Sequence, residues 1–197
     1  MNRLDRNFYQ ARTEEVARKL LGKKLVRRYT DDVLTGIIVE TEAYFGQDDP
    51  PSHASSGKTR RSKIMWGTPG LAYIYFIYGM YYMLNVVTEA EGTPGAVLIR
   101  ALKPLSGLET MQINRKTKTV GKLTNGPGKL TQALSIARNE NREDLVKSDK
   151  MWIEEGTTYK DKQIKHSARI GVSSGKERQL RFFVGENEFV SGHSPSK

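Results

Sequence analysis

The stretch LAYIYFIYGMYYMLN, residues 71–85, decides how this chain is read. Five of its nine tyrosines (Tyr73, Tyr75, Tyr78, Tyr81 and Tyr82) fall within ten residues there. Tyr73 and Tyr75 alternate with Ala72, Ile74 and Phe76, which is the two-residue period of a strand. Gly79 interrupts the run where a tight bend is needed. The pattern predicts an aromatic β-hairpin. It has two readings: a Tyr-rich hydrophobic core, or a surface that stacks on nucleobases while lysines and arginines hold phosphates.

The rest of the composition bears on that choice. The chain has 197 residues and a net charge of +10, with a pI near 9.7. The length predicts one domain, 1–197, large enough for a real core. The basic balance favours polyanionic partners. Lys58, Arg60, Arg61 and Lys63 form one cluster, and Arg115, Lys116, Lys118 and Lys122 a second. Neither lies on an amphipathic helix with a broad apolar face, which weakens a membrane-surface reading. No apolar run approaches the ~20 residues that cross a bilayer. The start, MNRLDRNFYQ, lacks the apolar stretch of a signal peptide. Cysteine is absent, so disulfides and thiolate metal sites are excluded. These features predict a cytoplasmic, nucleoid-associated location.

Along the chain, Thr13 is placed to cap a helix running to about Leu21. Lys24–Tyr29 and Val33–Thr41 read as strands joined through Asp31 and Asp32. Gly46–Thr68 is a long polar loop, a length usually tied to function or disorder. After the hairpin, Ala96–Ala101 reads as a short buried strand and Gly107–Arg115 as a helix. Thr117–Thr124 reads as a mobile basic linker, and NGPGKLTQALSI as a turn followed by a helix to about Ala137. Further strands are expected near 151–154, 168–172 and 180–184, with a frayed tail over 191–197. The fold so predicted is a mixed α/β domain with a curved, largely antiparallel sheet.

Chemistry concentrates in IVETEAY, residues 38–44. Strand alternation puts Glu40 and Glu42 on one face and Thr41 on the other. A carboxylate at a strand end, beside aromatics and cations, is a candidate general base. A divalent metal site built from Glu40, Glu42, Asp48, Asp49 and His53 is an alternative, although no specific metal motif is present. A solvent-facing glutamate is the plain reading of Glu42. Arg100 follows the apolar run Ala96–Ile99, so it is expected to be buried and paired with an acid. Gly126-Pro127-Gly128 resembles an anion-binding helix entrance with Lys129 available, but lacks P-loop spacing.

Several ordered segments, taken together, resemble the 3-methyladenine DNA glycosylases of the mammalian alkyladenine type. They are ARKLLGKKLV from Ala17, GIIVETEAYFGQDD, SHASSGKTRRSKIMWGTPG, YIYFIYGMYYMLNVVT, AVLIRALKP, NGPGKLTQAL and ARIGV, and they span most of the chain to about Phe183. The resemblance implies an α+β fold: one mixed domain, a curved and mainly antiparallel sheet, flanking helices, and a protruding β-hairpin that inserts into DNA. It implies a monofunctional enzyme without metal or cofactor. Such an enzyme flips an alkylated or deaminated purine (3-methyladenine, 7-methylguanine, hypoxanthine, ethenoadenine) out of duplex DNA and hydrolyses its N-glycosidic bond. A monomer suits a protein that scans DNA.

The family roles fall on this sequence as follows. Glu42 matches the glutamate that activates water, and Arg100 and the Ile170 carbonyl match the groups that hold that water. Tyr44, His53 and Tyr75 match the walls around the flipped base, and Asn85 the residue that opposes a guanine 2-amino group. Tyr78, next to Gly79 and Met80, matches the wedge; Met80, Arg61 and Met65 join it as DNA contacts. Thr59-Arg60-Arg61-Ser62 departs from the usual Thr-Pro-Arg-Asn, Trp66 stands where phenylalanine is common, and Pro50-Pro51 stiffens the approach to His53. A non-catalytic nucleic-acid binder of the same fold, a metal-dependent nuclease and a lysine Schiff-base lyase are the competing readings.

Overall fold

The computed structural model describes residues 2–192. Its spine is one long strand, β2 (Asp32–Tyr44), which carries the IVETEAY segment. Along its first half β2 pairs with β1 (Lys24–Tyr29). Along its second half the same edge pairs, at Glu40–Glu42, with β8 (Arg181–Val184). The opposite edge pairs with β5 (Ala96–Ser106) from Thr35 to Tyr44. Register shifts at Thr35/Gly36, Ile38/Glu40 and Glu40/Thr41 break this ladder. Such bulges add local twist and curl the sheet around the residues between them.

The aromatic run forms the predicted hairpin, with β3 (Ala72–Ile77) against β4 (Tyr81–Val87). β4 joins β5, while β6 (Met151–Glu154) joins β1 and β7 (Ile164–Ser167) joins β8. Among the described residues every strand pairing is antiparallel, and β3 is the terminal strand beyond β4, its outer edge tied at Ala72 to Arg142 and Glu143. Among the described residues four α-helices flank the sheet: α1 (Arg6–Gln10), α2 (Thr13–Lys19), α3 (Leu108–Arg115) and α4 (Pro127–Ala133). The main core gathers α2, α4 and the sheet around Leu20, Leu25, Ile38, Leu84, Ile99 and Leu130. Each such fully buried aliphatic side chain contributes about 1.5–3 kcal/mol of transfer free energy. A smaller cluster of Ala54, Ile64, Met65, Tyr73, Val87 and Ala96 lies under the other face of the hairpin.

Several expectations shift. Thr13 is the first residue inside α2 and not its cap; its N–H and hydroxyl both donate to Glu89 Oε1, a carboxylate far away in sequence. The 117–124 segment is anchored, since Leu123 and Thr124 are buried and the Thr124 hydroxyl donates to the Leu102 carbonyl. α4 ends at Ala133, because Ser135 already has φ +50°. Residues 168–172 form a turn through Gly171 at φ +76°, and the strand expected there lies just before it at β7. Ser191, placed in the frayed tail, is held by its N–H and hydroxyl on Glu40; residues 193–197 lie outside the described residues. Among the described residues no helix is long and apolar enough to cross a membrane.

Candidate active site

Glu40 and Glu42 leave β2 on the same face, as alternation predicts, and Arg100 of β5 lies between them. Its Nε donates to Glu40 Oε1 at 2.9 Å and its Nη1 to Glu42 Oε2 at 3.0 Å. Both carboxylates are fully buried, which removes the solvent-facing reading of Glu42. Their surroundings then diverge. Glu40 Oε1 also accepts from Arg181 Nε and the Ser191 hydroxyl, each at 2.7 Å, and Oε2 accepts from the Ser191 N–H at 2.6 Å. A carboxylate offers about four lone-pair positions, and Glu40 accepts four hydrogen bonds in all. Glu42 Oε2 takes Arg100 and the Tyr44 hydroxyl (2.8 Å), and Oε1 takes only the Ile170 N–H at 2.7 Å. Among the described residues no second donor reaches Glu42 Oε1.

The same contrast appears in their proton affinities. Burial pushes Glu40 up, but Arg100, Arg181 and the two Ser191 hydrogen bonds outweigh it and hold the carboxyl below its usual range. Burial dominates at Glu42 and pushes it above the usual range, against Arg100, the Ile170 N–H and the Tyr44 hydroxyl; the Glu40 charge adds to the rise. A carboxylate tuned upward is a stronger base. The two share one guanidinium, so they titrate as a coupled pair.

Above them opens a cavity of about 280 Å³, at the lower end of small-molecule sites (about 300–1,000 Å³). Tyr44, His53, Tyr75, Asn85, Arg100 and Ile170 all line it. The register explains this convergence, because Tyr73, Tyr75 and Ile77 of β3 pair with Asn85, Met83 and Tyr81 of β4 on one face of the hairpin. His53 packs edge-on against Tyr75 with ring centroids 4.5 Å apart, and its Nδ1 bonds the Tyr73 hydroxyl at 2.7 Å. Burial and then Arg61 lower the His53 pKa, so the imidazole is neutral at pH 7. Burial pushes the Tyr75 hydroxyl up to about 12. Asn85 donates from Nδ2 to the Tyr73 carbonyl at 3.0 Å, which orients its amide.

A buried ion pair without any local sequence signal supports the site from behind. Arg169 donates to both Asp49 oxygens at 2.8 and 2.6 Å, and to the Ala43 carbonyl. Its guanidinium lies 4.7 Å from the Tyr44 ring centroid. The pair ties the 168–172 turn to the end of β2, which delivers the next residue's N–H to Glu42. Ile170 therefore reaches Glu42 through its amide. Asp49 and Glu40, two members of the alternative metal set, are committed to arginines. Among the described residues no three His, Asp or Glu side chains gather as a ligand group.

The hairpin tip projects. Tyr78 is 73% exposed, and Met80 beside it is also exposed. Tyr78 has φ +54° and Gly79 φ +68°, and the Met80 N–H donates to the Ile77 carbonyl. Positive φ at both central residues is the twist-matched hairpin turn, and a tyrosine there is strained. Arg115 and Lys116 share a groove with Met80 of the tip, and Arg60 and Arg61 share another with Tyr75 and Phe76 of β3. Arg61 is exposed, with its guanidinium 5.9 Å from the Tyr75 ring. Met65 is placed differently from its expected DNA contact: it is 1% exposed and forms part of the cavity wall. Lys129 is engaged with Asn125 Oδ1, and Pro127 at the start of α4 lines the cavity.

Residues 7–188 match the family model for methylpurine-DNA glycosylase. The chain belongs to that family. Three relatives whose names describe a 3-methyladenine DNA glycosylase show the extent of the likeness. The protein of Prosthecochloris aestuarii is 45% identical over 196 residues, covering 99% of this chain and 94% of its own. That of Carboxydothermus hydrogenoformans is 45% identical over 188 residues, covering 95% and 98%. That of Methanocella arvoryzae is 45% identical over 196 residues, covering 98% and 97%. The methylpurine-DNA glycosylase fold thus accounts for nearly the whole chain. The protein is a DNA glycosylase, with DNA as its substrate, and the reading as a non-catalytic binder falls away.

Proposed function

We propose that this glycosylase extrudes an alkylated or deaminated purine from duplex DNA into the 280 Å³ cavity and hydrolyses its N-glycosidic bond with a water activated by Glu42. The observation that carries the reading is the asymmetry of the two buried carboxylates: Glu40 accepts four hydrogen bonds, while Glu42, whose three partners Tyr44, Arg100 and Ile170 line the cavity, accepts three and has a raised pKa. The water oxygen forms a bond to C1′ as the C1′–N bond breaks. Its proton goes to Glu42, and the bonding electron pair leaves with the purine. Arg100 balances the charge of Glu42 in the resting site.

The cavity's composition supports a purine guest. Tyr44, His53 and Tyr75 line the cavity with aromatic rings, and stacking on such rings returns about 1–3 kcal/mol per base against the few kcal/mol of unstacking. Electron-rich tyrosine rings favour cationic bases such as 3-methyladenine and 7-methylguanine, which are also better leaving groups. The strained, exposed Tyr78 suits the role of filling the gap left in the stack. Asn85 opposes the 2-amino group of a guanine.

The test is the product. Duplex DNA bearing a single hypoxanthine or ethenoadenine, or methylated DNA, is incubated with the protein in EDTA, and half of each sample is then treated with alkali. Strand breaks only after alkali mark an abasic product and a water nucleophile. Breaks without alkali would mean lysine Schiff-base chemistry, and loss of activity in EDTA would mean a required metal.

A further inference from the structure

Beside the base cavity, the outer side of β3, whose first residues hydrogen-bond to the 141–143 segment, carries a second concave surface, a groove of about 440 Å³. Arg60, Arg61 and Arg138 line it from two segments far apart in sequence, and among the described residues no acidic side chain lines it. All three arginines are exposed, and none makes an ion pair among the described residues. The floor is aromatic. Phe76 and Tyr82 form a cross-strand pair with ring centroids 4.9 Å apart, and Phe76 is 45% exposed. Tyr73 and Tyr75 border both the groove and the base cavity, so only the width of β3 separates the two.

From this juxtaposition we propose that the groove is a second nucleotide subsite, which holds an unpaired nucleotide neighbouring the flipped one in the same strand. The proposal rests on the glycosylase reading of the adjacent cavity. Guanidinium forks match phosphate oxygens in geometry and charge. An exposed aromatic pair stacks on any base, because every base has a π-face. A base still within the duplex has both faces covered by its neighbours and cannot lie on Phe76. The occupant is therefore a nucleotide freed from pairing. A strand leaving the cavity across β3 enters the groove that Arg60, Arg61, Phe76, Tyr82 and Arg138 line. The subsite makes the enzyme prefer lesions beside a mismatch, nick or strand end.

The test compares wild type with the double variant Phe76→Ala/Arg138→Ala, both surface positions outside the catalytic set. Affinity is measured by fluorescence anisotropy on two hypoxanthine duplexes, one fully paired and one with the two nucleotides on either side of the lesion unpaired. Wild type should bind the second more tightly. The double variant should bind it about tenfold more weakly, within the range of one stacked base, while binding the paired duplex nearly unchanged. 5-Iodouracil at the unpaired positions should photocrosslink to Phe76 or Tyr82. Equal loss on both duplexes, no loss on either, or crosslinks elsewhere would overturn the subsite. None of these readouts needs excision, so a wild type that binds and crosslinks as expected but releases no base would count against the glycosylase reading and leave the subsite standing.

Discussion

Replacing Glu40 by glutamine tests how far this carboxylate stabilises the buried cluster it forms with Arg100, Arg181 and Ser191. Glu40 is fully buried and accepts four hydrogen bonds, from Arg100, Arg181 and, twice, Ser191. Glutamine keeps the volume but removes the charge and turns one acceptor into a donor. Whichever way the amide is turned, it faces an N–H or O–H donor, and Arg181 loses its carboxylate partner. Removing one partner of a buried pair costs about 3–5 kcal/mol. At this chain length each kcal/mol moves Tm by about 2–4 °C, so the expected fall is on the order of 10 °C at pH 7. The pH dependence follows from the folded pKa of Glu40, which its partners hold below the usual value. Stabilisation from such a group is complete above the unfolded pKa of about 4.3 and is lost as pH falls through the lower folded value. In calorimetry, wild type and variant should therefore differ fully at pH 7 and converge below about pH 4. Loss of the Glu40 charge also lowers the pKa of Glu42, which should move the acid limb of excision to lower pH. A gap under about 1 kcal/mol at pH 7, or one that does not narrow between pH 5 and pH 3, would refute the reasoning.

Further outcomes are expected. Asn85→Ser should admit more guanine-type lesions relative to adenine-type ones in competition assays; an unchanged ratio would remove Asn85 as a gate. Tyr78→Gly relieves a left-handed tyrosine, worth about 1–2 kcal/mol, so urea unfolding should show a more stable protein while excision from duplex DNA falls; lower stability would contradict the strain argument. Asp49→Asn leaves Arg169 buried without its anion and should cost about 3–5 kcal/mol. Excision measured below the melting temperature should fall with it, because the turn that delivers the Ile170 N–H loosens. Excision by a stable Asp49→Asn variant at the wild-type rate would detach that turn from the chemistry.

What the sequence revealed was what local periodicity encodes. β1 and β6 fall at their expected bounds, and the aromatic alternation gives both the hairpin and the cavity-facing set of Tyr73 and Tyr75. β2 and β5 run further than read, to Tyr44 and Ser106. Their ends are strands because they pair with each other, and the ladder survives Pro104 by slipping register at Thr35/Gly36. β7, reading IKHS, has no apolar alternation and exists by pairing with β8. The apolar run 168–172 looked like a strand, but Gly171 turns it and Asp49 captures Arg169. Glu42 was legible as a candidate base, and Arg100 as a buried partner of an acid. The Asp49–Arg169 pair and the Ser191 clamp on Glu40 were not, since they join residues 120 and 151 positions apart and leave no spacing to read.

The measurement closest to the central claim is single-turnover excision of hypoxanthine or ethenoadenine from duplex DNA, in EDTA with alkali treatment afterwards, by wild type and Glu42→Gln. General-base catalysis contributes on the order of 100-fold or more. The account predicts wild-type cleavage revealed only by alkali, and a variant that binds the damaged duplex as tightly but excises at least about 100-fold more slowly. A Glu42→Gln variant that releases the base at the wild-type rate would remove Glu42 from the mechanism.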